Sequence, residues 1–274
     1  MIDAMPTVFV FCALPCEAKH LIQNWKLSKR NTSSPFSVYV NRDSPHAVIV
    51  TGVGKIAMAS ALGYTMALLE TPQLPILLNF GIAGHANLPV GSAHIADKIL
   101  DTETHRHFYP ALPFSLPCPS TTLMTRTAPE TFYAKDCLYD MEGSAFYEAA
   151  SKFSSTEFIH CLKVISDNHQ SPISHIDETK VSQWCGEQSL TLQKLIDELQ
   201  TLKTALPTLS LEEYEPITAH FHLSATNSAK LKKLLLRWQV LHQERKLAWQ
   251  NAGCRSGKEL LTWIEGQLEG KFYL

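Results

Sequence analysis

The sequence predicts an α/β protein, a three-layer α/β/α sandwich with a mixed central sheet, followed by a C-terminal helical appendage. Short, continuous apolar runs such as residues 8–13 alternate with helical patterns, as expected for strands buried on both faces of a sheet. Small or acidic residues directly follow several of these runs, at the edge where α/β sheets bind ligands. Beyond Pro207 an acidic stretch and two helical patterns replace this alternation, which sets the appendage apart.

The composition is that of an ordinary globular protein, with 274 residues, 45% hydrophobic and 18% charged, and a formal net charge of -2. This near-zero charge disfavours a nucleic-acid or membrane-surface binder, and no run approaches the ~20 apolar residues that a membrane span needs. The seven scattered cysteines favour reduced thiols, and the first residues lack the pattern of a secretory signal. The expected location is therefore the cytoplasm.

The first strand and helix place an acid at the ligand-binding edge. Residues 8–13 form the strand, Pro15 fits the first position of a helix, and Glu17 lies in its first turn. Because the helix follows the strand at once, Glu17 lies at the carboxyl end of that strand and is a candidate ligand-binding residue. A solvated acid that only complements the helix dipole is the alternative interpretation.

Two glycines follow the next pair of predicted strands. Residues 36–40 and 47–51 have the pattern of strands, and Gly52 and Gly54 then open a helix that reaches about Glu70. Glycines at such a turn let backbone amides approach an anion or a sugar closely. The second half of a P-loop is absent, so a tight turn without a ligand stays an alternative.

The middle of the chain contains the clearest buried-strand pattern. Residues 75–80 form this strand, which ends in the small residues of 81–84, and a turn with another strand follows over 90–97. Residues 101–119 carry four prolines and three aromatic residues, so we expect an irregular loop or a lid over a substrate there. A further strand is predicted for 121–125.

The stretch 139–150 is the centre of the predicted site. Its apolar residues recur at helical spacing, so a helix begins near Gly143 with Glu142 beside the free backbone N–H groups. The helix dipole and these donors are expected to keep Glu142 ionised, which suits an acceptor for the two neighbouring hydroxyls of a ribose. Plain capping of the helix by an acid is the alternative.

A third acid follows the last predicted strand of the sandwich. Residues 158–165 form this strand, and Ser166 and Asp167 lie at its end. Asp167 is therefore placed for a polar ligand site, although an acid that only caps a loop would have the same pattern. An amphipathic helix is predicted from 181 to about 203.

The domain organisation follows from the change of sequence pattern beyond Pro207, where the alternation of strand and helix patterns ends. We expect one domain over residues 1–205, a linker over 206–223, and a helical hairpin over 224–274 whose first helix runs to about Gln250. The first hairpin helix has basic residues beside a leucine stripe, which indicates a solvated face and a core-facing face. A contact with a partner or a nucleic acid is the alternative for its basic face.

Four stretches taken together resemble the nucleoside phosphorylase and nucleosidase superfamily, most closely the methylthioadenosine/S-adenosylhomocysteine nucleosidases. Their order and spacing carry the resemblance, which covers roughly residues 7–200. The matching residues are 13–17, 51–57, 79–84 with 90–91, and 140–143 followed by 165–167.

The resemblance implies a role for each acid. Asp167 would protonate the leaving purine as a general acid, and Glu17 would activate the attacking water. Glu142 would hold the ribose hydroxyls and stabilise the positive charge that develops on the sugar, with Met141 against the sugar face. No cofactor and no metal are implied. The other residues that the resemblance assigns to the substrate site are Gly81, Ile82, Ala83, Lys163 and Ser166.

The departures from the family pattern lie near the expected water site. This chain has Ile82 where the nucleosidases have serine, and Lys163 where they have arginine. The phosphorolytic branch would want an arginine near Asn79 and a serine at position 82 to bind phosphate, which needs several fixed donors. The sequence therefore favours hydrolysis. The interval from Asp101 to Asp140 is also shorter than in the nucleosidases, which leaves the base-stacking residue unassigned.

Two alternatives to a purine nucleoside hydrolase stay open at this point. One is a purine nucleoside phosphorylase, with an anion site built from Arg42, Arg106 or Arg126. The other is a degenerate, non-catalytic member that binds a nucleoside or a protein, for which Ile82 and the added hairpin are the support. The resemblance also implies a homo-oligomer, most simply a dimer, and for a catalytic member it implies a small purine nucleoside as the ligand.

Overall fold

A computed structural model of the protein gives the structure of residues 6–30, 34–69, 74–205, 211–242 and 246–269. The chain folds into two compact units, an N-terminal unit, Met1–Thr204, and a C-terminal unit, Ala205–Leu274. None of the helices in these described ranges has the length and apolar content that crossing a membrane requires.

The strands of the N-terminal unit form one sheet. Within the described residues this sheet has ten strands. They are β1 (Val8–Cys12), β2 (Ser28–Lys29), β3 (Ser37–Val40), β4 (His46–Val50), β5 (Ile76–Gly84), β6 (Ala93–Asp101), β7 (His107–Phe108), β8 (Ser120–Thr125), β9 (Leu138–Asp140) and β10 (Ile159–Asp167).

Strand β5 lies at the centre of this sheet and has three neighbours. It runs parallel to β1 and β10, and its last residue, Gly84, pairs antiparallel with Tyr139 of β9. Strands β6 and β8 are also parallel, whereas β6 is antiparallel to β10. The sheet is therefore mixed, as predicted. The parallel strands β1, β5 and β10 bring their carboxyl ends to one edge, close to the ends of β8 and β9.

Helices cover this sheet in two pairs. Helix α1 packs with α4 and contacts β1, β4 and β5, while α2 packs with α3, which contacts β8 and β10. This arrangement and the mixed sheet confirm the predicted α/β sandwich. The helices of the N-terminal unit are α1 (Pro15–Asn24), α2 (Lys55–Leu68), α3 (Gly143–Ala150), α4 (Glu178–Glu187) and α5 (Ser189–Ala205).

The apolar runs of the sequence become the core. All five residues of β1 and all nine of β10 are buried, which explains why β1 is apolar throughout and why the polar residues of β10, such as Lys163, have partners inside the protein. Phe9 and Phe11 of β1 are in the same hydrophobic cluster as Phe146 of α3, and the Phe11 and Phe146 rings lie 5.8 Å apart. The core thus fixes the start of α3 against the strand ends.

Three predicted boundaries differ from the structure. The strand predicted for 75–80 continues to Gly84, because pairing with β10 and β9 holds its small residues extended. The single helix predicted for 181–203 is two helices, α4 and α5, divided at Gln188. The expected loop of 101–119 includes the short strand β7, which pairs with β6.

The C-terminal unit has its own core. Within its described residues it contains α6 (Tyr214–His220), α7 (Ala225–Leu241) and α8 (Gly257–Glu269). Ile217 of α6 and Trp238 of α7 are buried in one hydrophobic cluster with residues of α8. The segment predicted as a linker therefore contains a helix, α6. This helix is part of the folded unit because its apolar side chains pack against the two expected helices.

The first helix of the predicted hairpin is shorter than expected. It ends at Leu241, and a 3₁₀ turn over Trp249–Ala252 follows instead of further α-helix. Two of its basic side chains make intramolecular contacts: Lys230 pairs with Glu265 at 2.8 Å, and Lys232 lies 4.8 Å from the centre of the Tyr214 ring. Part of the basic face of this helix therefore has partners within the C-terminal unit.

Candidate active site

Glu17 is held at the carboxyl edge by the two elements that meet there. It is the third residue of α1, and its Oε2 accepts a 2.8 Å hydrogen bond from the Leu14 N–H. Its Oε1 accepts a 2.9 Å hydrogen bond from the Ile82 N–H at the end of β5. Burial raises the pKa of Glu17, and these backbone donors oppose the rise. Glu17 is thus a buried, fixed carboxyl group with an elevated pKa.

The close approach of Glu17 to β5 requires a glycine at position 81. A Cβ atom there would lie 2.6 Å from Glu17 Oε1, well inside normal contact distance. Gly81 therefore makes room for the carboxylate that its neighbour Ile82 binds. The resemblance assigns Gly81 to the substrate site, and in the structure Gly81 lies directly against the Glu17 carboxylate.

Glu142 connects β9 to α3 and bonds to the glycine turn. Its Oε1 accepts a 2.6 Å hydrogen bond from the Gly54 N–H. The glycine turn of the sequence is therefore tied to an acid of the site, as well as starting α2. Burial, followed by the charge of Asp140, raises the pKa of Glu142 to about 7, against the opposing effects of Lys163 and Gly54. Burial thus opposes the ionisation that the start of the helix favours for Glu142.

A buried ion pair lies beside Glu142. Lys163 Nζ is 2.8 Å from Asp140 Oδ2, and both side chains are 1% exposed. The same carboxylate accepts hydrogen bonds from Thr125 Oγ1 at 2.7 Å and from the Gly143 N–H at 2.8 Å. Burial opposes the charged form of Lys163, but Asp140 and nearby acids outweigh it and raise its pKa. Lys163, which the resemblance assigns to the substrate site, pairs with Asp140 and is not among the described residues that line the cavity reported below.

Asp167 ends β10, and both of its carboxylate oxygens already accept a hydrogen bond. The Ser166 hydroxyl donates to Oδ1, and the Tyr133 hydroxyl donates to Oδ2. No sequence motif points to Tyr133, which lies in an irregular segment between β8 and β9. Its only sequence signal is its position as an aromatic residue shortly before the central acids.

The three acids line one cavity of about 160 Å³. Glu17 comes from the start of α1, Glu142 from the start of α3, and Asp167 from the end of β10. They are far apart in sequence and meet because α1 and α3 begin, and β10 ends, at the same edge of the sheet. Among the other predicted site residues, the structure brings Ile82, Ala83, Met141 and Ser166 to the same cavity.

The irregular segment 126–137 supplies a wall of this cavity. Pro129 and Glu130 line it, and Glu130 Oε1 accepts 2.8 Å hydrogen bonds from the N–H groups of Thr131 and Phe132. Within the described chain, the lining includes no residue of 101–119, the stretch predicted as a lid. Aromatic residues of that stretch pack elsewhere, as Phe114 does against His160.

Acidic residues predominate among the charged residues that line the cavity, although two of them, Asp140 and Glu130, are paired with basic side chains. Glu130 and Asp140 line it together with the three acids already described, whereas its lining within the described residues includes no lysine, arginine or histidine. Two of the arginines considered for an anion site are paired with acids, Arg106 with Glu148 and Arg126 with Glu130. In the described ranges, no group of three or more His, Cys, Asp or Glu side chains is arranged to hold a metal ion.

Comparison with known proteins identifies the fold. No protein-family model matches the chain, and no curated protein matches it in sequence. Solved structures do match. The 5′-methylthioadenosine nucleosidase of Arabidopsis thaliana is 16% identical with a TM-score of 0.57, covering 71% of this chain and 96% of its own.

Two bacterial structures match over a similar length. An MTA-bound nucleosidase (MTAN) of Chlamydia trachomatis is 20% identical with a TM-score of 0.53, covering 69% of this chain and 98% of its own. The futalosine hydrolase of Helicobacter pylori is 14% identical with a TM-score of 0.54, covering 71% and 98%. The predicted resemblance is thus confirmed as a shared fold over most of the chain.

Proposed function

We propose that this chain hydrolyses the N-glycosidic bond of a purine nucleoside, with a methylthioadenosine- or S-adenosylhomocysteine-like substrate. The observation that carries the proposal is the convergence of Glu17, Glu142 and Asp167 on one buried cavity. The likeness of the fold to that of nucleosidases supports it. The role would be nucleoside catabolism or the salvage of purine and methionine.

In this mechanism each of the three acids has a separate chemical role. Asp167 donates its proton to the purine ring as the bond between the base and the anomeric carbon breaks, so that the base leaves as a neutral molecule. Glu142 accepts hydrogen bonds from the ribose hydroxyls and stabilises the cationic sugar, with Met141 against its face. Glu17 takes a proton from the water whose oxygen bonds to the anomeric carbon. The products are the ribose and the free base, and the proton on Glu17 returns to Asp167 through solvent.

Hydrolysis is favoured over phosphorolysis by the charge of the cavity. A phosphate ion needs several fixed donors, preferably cationic ones. The lining described above instead includes five acidic residues and no basic one among the described residues, and the neighbouring Lys163 and Arg126 are paired with Asp140 and Glu130. Ile82 adds an apolar side chain at the position where a phosphate-binding serine would donate.

The cellular setting and assembly belong to the same proposal. All seven cysteines fall in the described ranges and are free thiols, which fits a reducing cytoplasm. A homodimer is proposed because apolar side chains at the cavity, Val53 and Ile173, are 52% and 38% exposed and would be covered by a second copy. Light scattering of the purified protein would measure the assembly.

The first test is the release of free base from methylthioadenosine, S-adenosylhomocysteine, adenosine and inosine, each with and without phosphate. We expect phosphate-independent release from at least one of them, with free ribose or its 5′-substituted form as the second product. Release that requires phosphate and yields a ribose 1-phosphate would assign the protein to the phosphorylases. No release of free base from any of the four nucleosides, with or without phosphate, would overturn both the hydrolase and the phosphorylase assignment.

The activity is expected to fall as the pH drops below about 7. Both Glu142 and Glu17 have raised pKa values because they are buried, that of Glu142 to about 7. Each works as a carboxylate, Glu142 by accepting hydrogen bonds and Glu17 by accepting a proton. Protonation as the pH falls therefore removes both functions. A profile of kcat/KM between about pH 5 and 9 measures this, and an acid limb near the ordinary pKa of glutamate would contradict it.

Replacing Gly81 by alanine is expected to reduce activity far more than stability. The new Cβ would displace the end of the Glu17 side chain, and a misplacement of about 1 Å can cost about 10²-fold in rate. The matched control is Gly63→Ala in α2, where a Cβ meets nothing within 4 Å. That variant should keep full activity and gain about 0.5–1 kcal/mol of stability. Equal activity in the two variants would argue against a fixed Glu17.

A further inference from the structure

Tyr133 is a buried residue that the proposed chemistry does not use. It is 6% exposed, and its ring packs edge-on against Tyr139 and His169, with ring centres 6.0 and 5.3 Å away. Its hydroxyl donates to Asp167 Oδ2. The ring belongs to a small apolar cluster and is not among the cavity-lining residues of the described chain, so it reaches Asp167 from outside the cavity.

The backbone at Tyr133 is held in an unfavourable conformation. Its φ is 44°, in the left-handed region that bulky residues rarely adopt. The two preceding residues are pinned, because Glu130 accepts hydrogen bonds from their N–H groups. A strained residue persists where its surroundings determine it, and such residues concentrate at functional sites.

Strand β5 is shaped to admit this pair. A Cβ atom at Gly84 would lie 2.6 Å from Asp167 Oδ2 and 2.8 Å from Tyr133 Cε1. Any side chain at this position would separate the hydroxyl from the carboxylate. The missing side chain therefore permits the contact between Tyr133 and Asp167.

We propose that Tyr133 is a positioning residue that, together with Ser166, fixes the rotation of the Asp167 carboxyl group toward the leaving base. A carboxylate offers about four acceptor directions. Ser166 takes one on Oδ1 and Tyr133 takes one on Oδ2, which leaves one on each oxygen for the base. This inference rests on the proposed function, since it assigns a direction to the proton donor of that reaction.

The test compares Tyr133→Phe with the matched control Tyr147→Phe. Tyr147 is equally buried, and its hydroxyl has no hydrogen-bond partner among the described residues. Each variant is assayed on the purine nucleoside that the wild type cleaves best and on p-nitrophenyl β-riboside, whose leaving group needs no proton.

With the purine nucleoside, Tyr133→Phe should lose about tenfold in kcat/KM, the size expected for one hydrogen bond to a charged group. Without that donor the Asp167 carboxyl group is free to rotate away from the base, so the loss is expected in the step that transfers the proton. Cleavage of the nitrophenyl riboside should stay within about twofold of wild type. Tyr147→Phe should match wild type with both substrates.

An equal loss with both substrates would overturn the inference, since a merely structural role predicts that result. So would the absence of any effect. If the wild type cleaves neither substrate, the proposed function is wrong. Calorimetric measurement of the affinity for free adenine, in wild type and in Tyr133→Phe, then tests the positioning role of Tyr133 separately. Equal adenine affinity in wild type and Tyr133→Phe, or no binding to either, would contradict the positioning role.

Discussion

Asp167→Asn is expected to lower kcat for the purine nucleoside by about 10²–10⁴-fold, the contribution typical of a general acid. The asparagine keeps the shape of the side chain and one oxygen that can accept from Ser166 or Tyr133. It has no proton to give to the purine ring. The fold should be preserved, because the residue stays at the end of β10 with the same size.

The matched control for this substitution is Asp177→Asn. Asp177 caps α4 by accepting from the Lys180 N–H at 2.9 Å, and asparagine caps helices about as well as aspartate. Steady-state assays and circular dichroism of both variants should find activity lost only in Asp167→Asn and native structure in both. The nitrophenyl riboside adds a second criterion: Asp167→Asn should still cleave it. Wild-type turnover of the purine nucleoside by Asp167→Asn would remove Asp167 from the mechanism.

Lys163→Met is expected to reduce the free energy of unfolding of the N-terminal unit by about 3–5 kcal/mol. Lys163 is fully buried beside Asp140, and its removal leaves that carboxylate without its counter-ion inside the sheet. Glu142 and Glu17 also lose a nearby positive charge that lowers their pKa values. The acid limb of the activity profile should therefore move to higher pH in whatever fraction stays folded.

Hydrogen exchange of peptides covering β5 and β10 measures this loss, with peptides of the C-terminal unit as an internal reference. The control is Lys180→Met, whose exposed pair with Asp177 at 3.9 Å should be worth less than about 1 kcal/mol. The double variant Lys163→Met with Asp140→Asn should recover part of the stability, because the uncompensated charge is then gone. Similar protection in Lys163→Met and wild type would show that the buried pair contributes little.

Much of the fold was predictable because it depends on local patterns. The run at β1 has no polar residue, and only a strand buried on both faces explains such a run beside a helix that starts at Pro15. The start of α3 at Gly143 was equally predictable from helical spacing. The end of β5 and the end of the helix that begins after residue 224 were not predictable. Strand pairing and packing with distant residues determine where these two elements end.

The sequence by itself determined the sandwich and the identity of the three acids, because residue type, spacing and position after a strand are local properties. The tertiary structure alone decided what each acid touches. It made Lys163 the partner of Asp140, and it brought donors to two of the acids, Gly54 to Glu142 and Tyr133 to Asp167. The two donors lie 88 and 34 positions from their acceptors. The burial of the acids and such long-range contacts arise only when the strand ends meet, so no local pattern encodes them or the direction of the pKa shifts that follow.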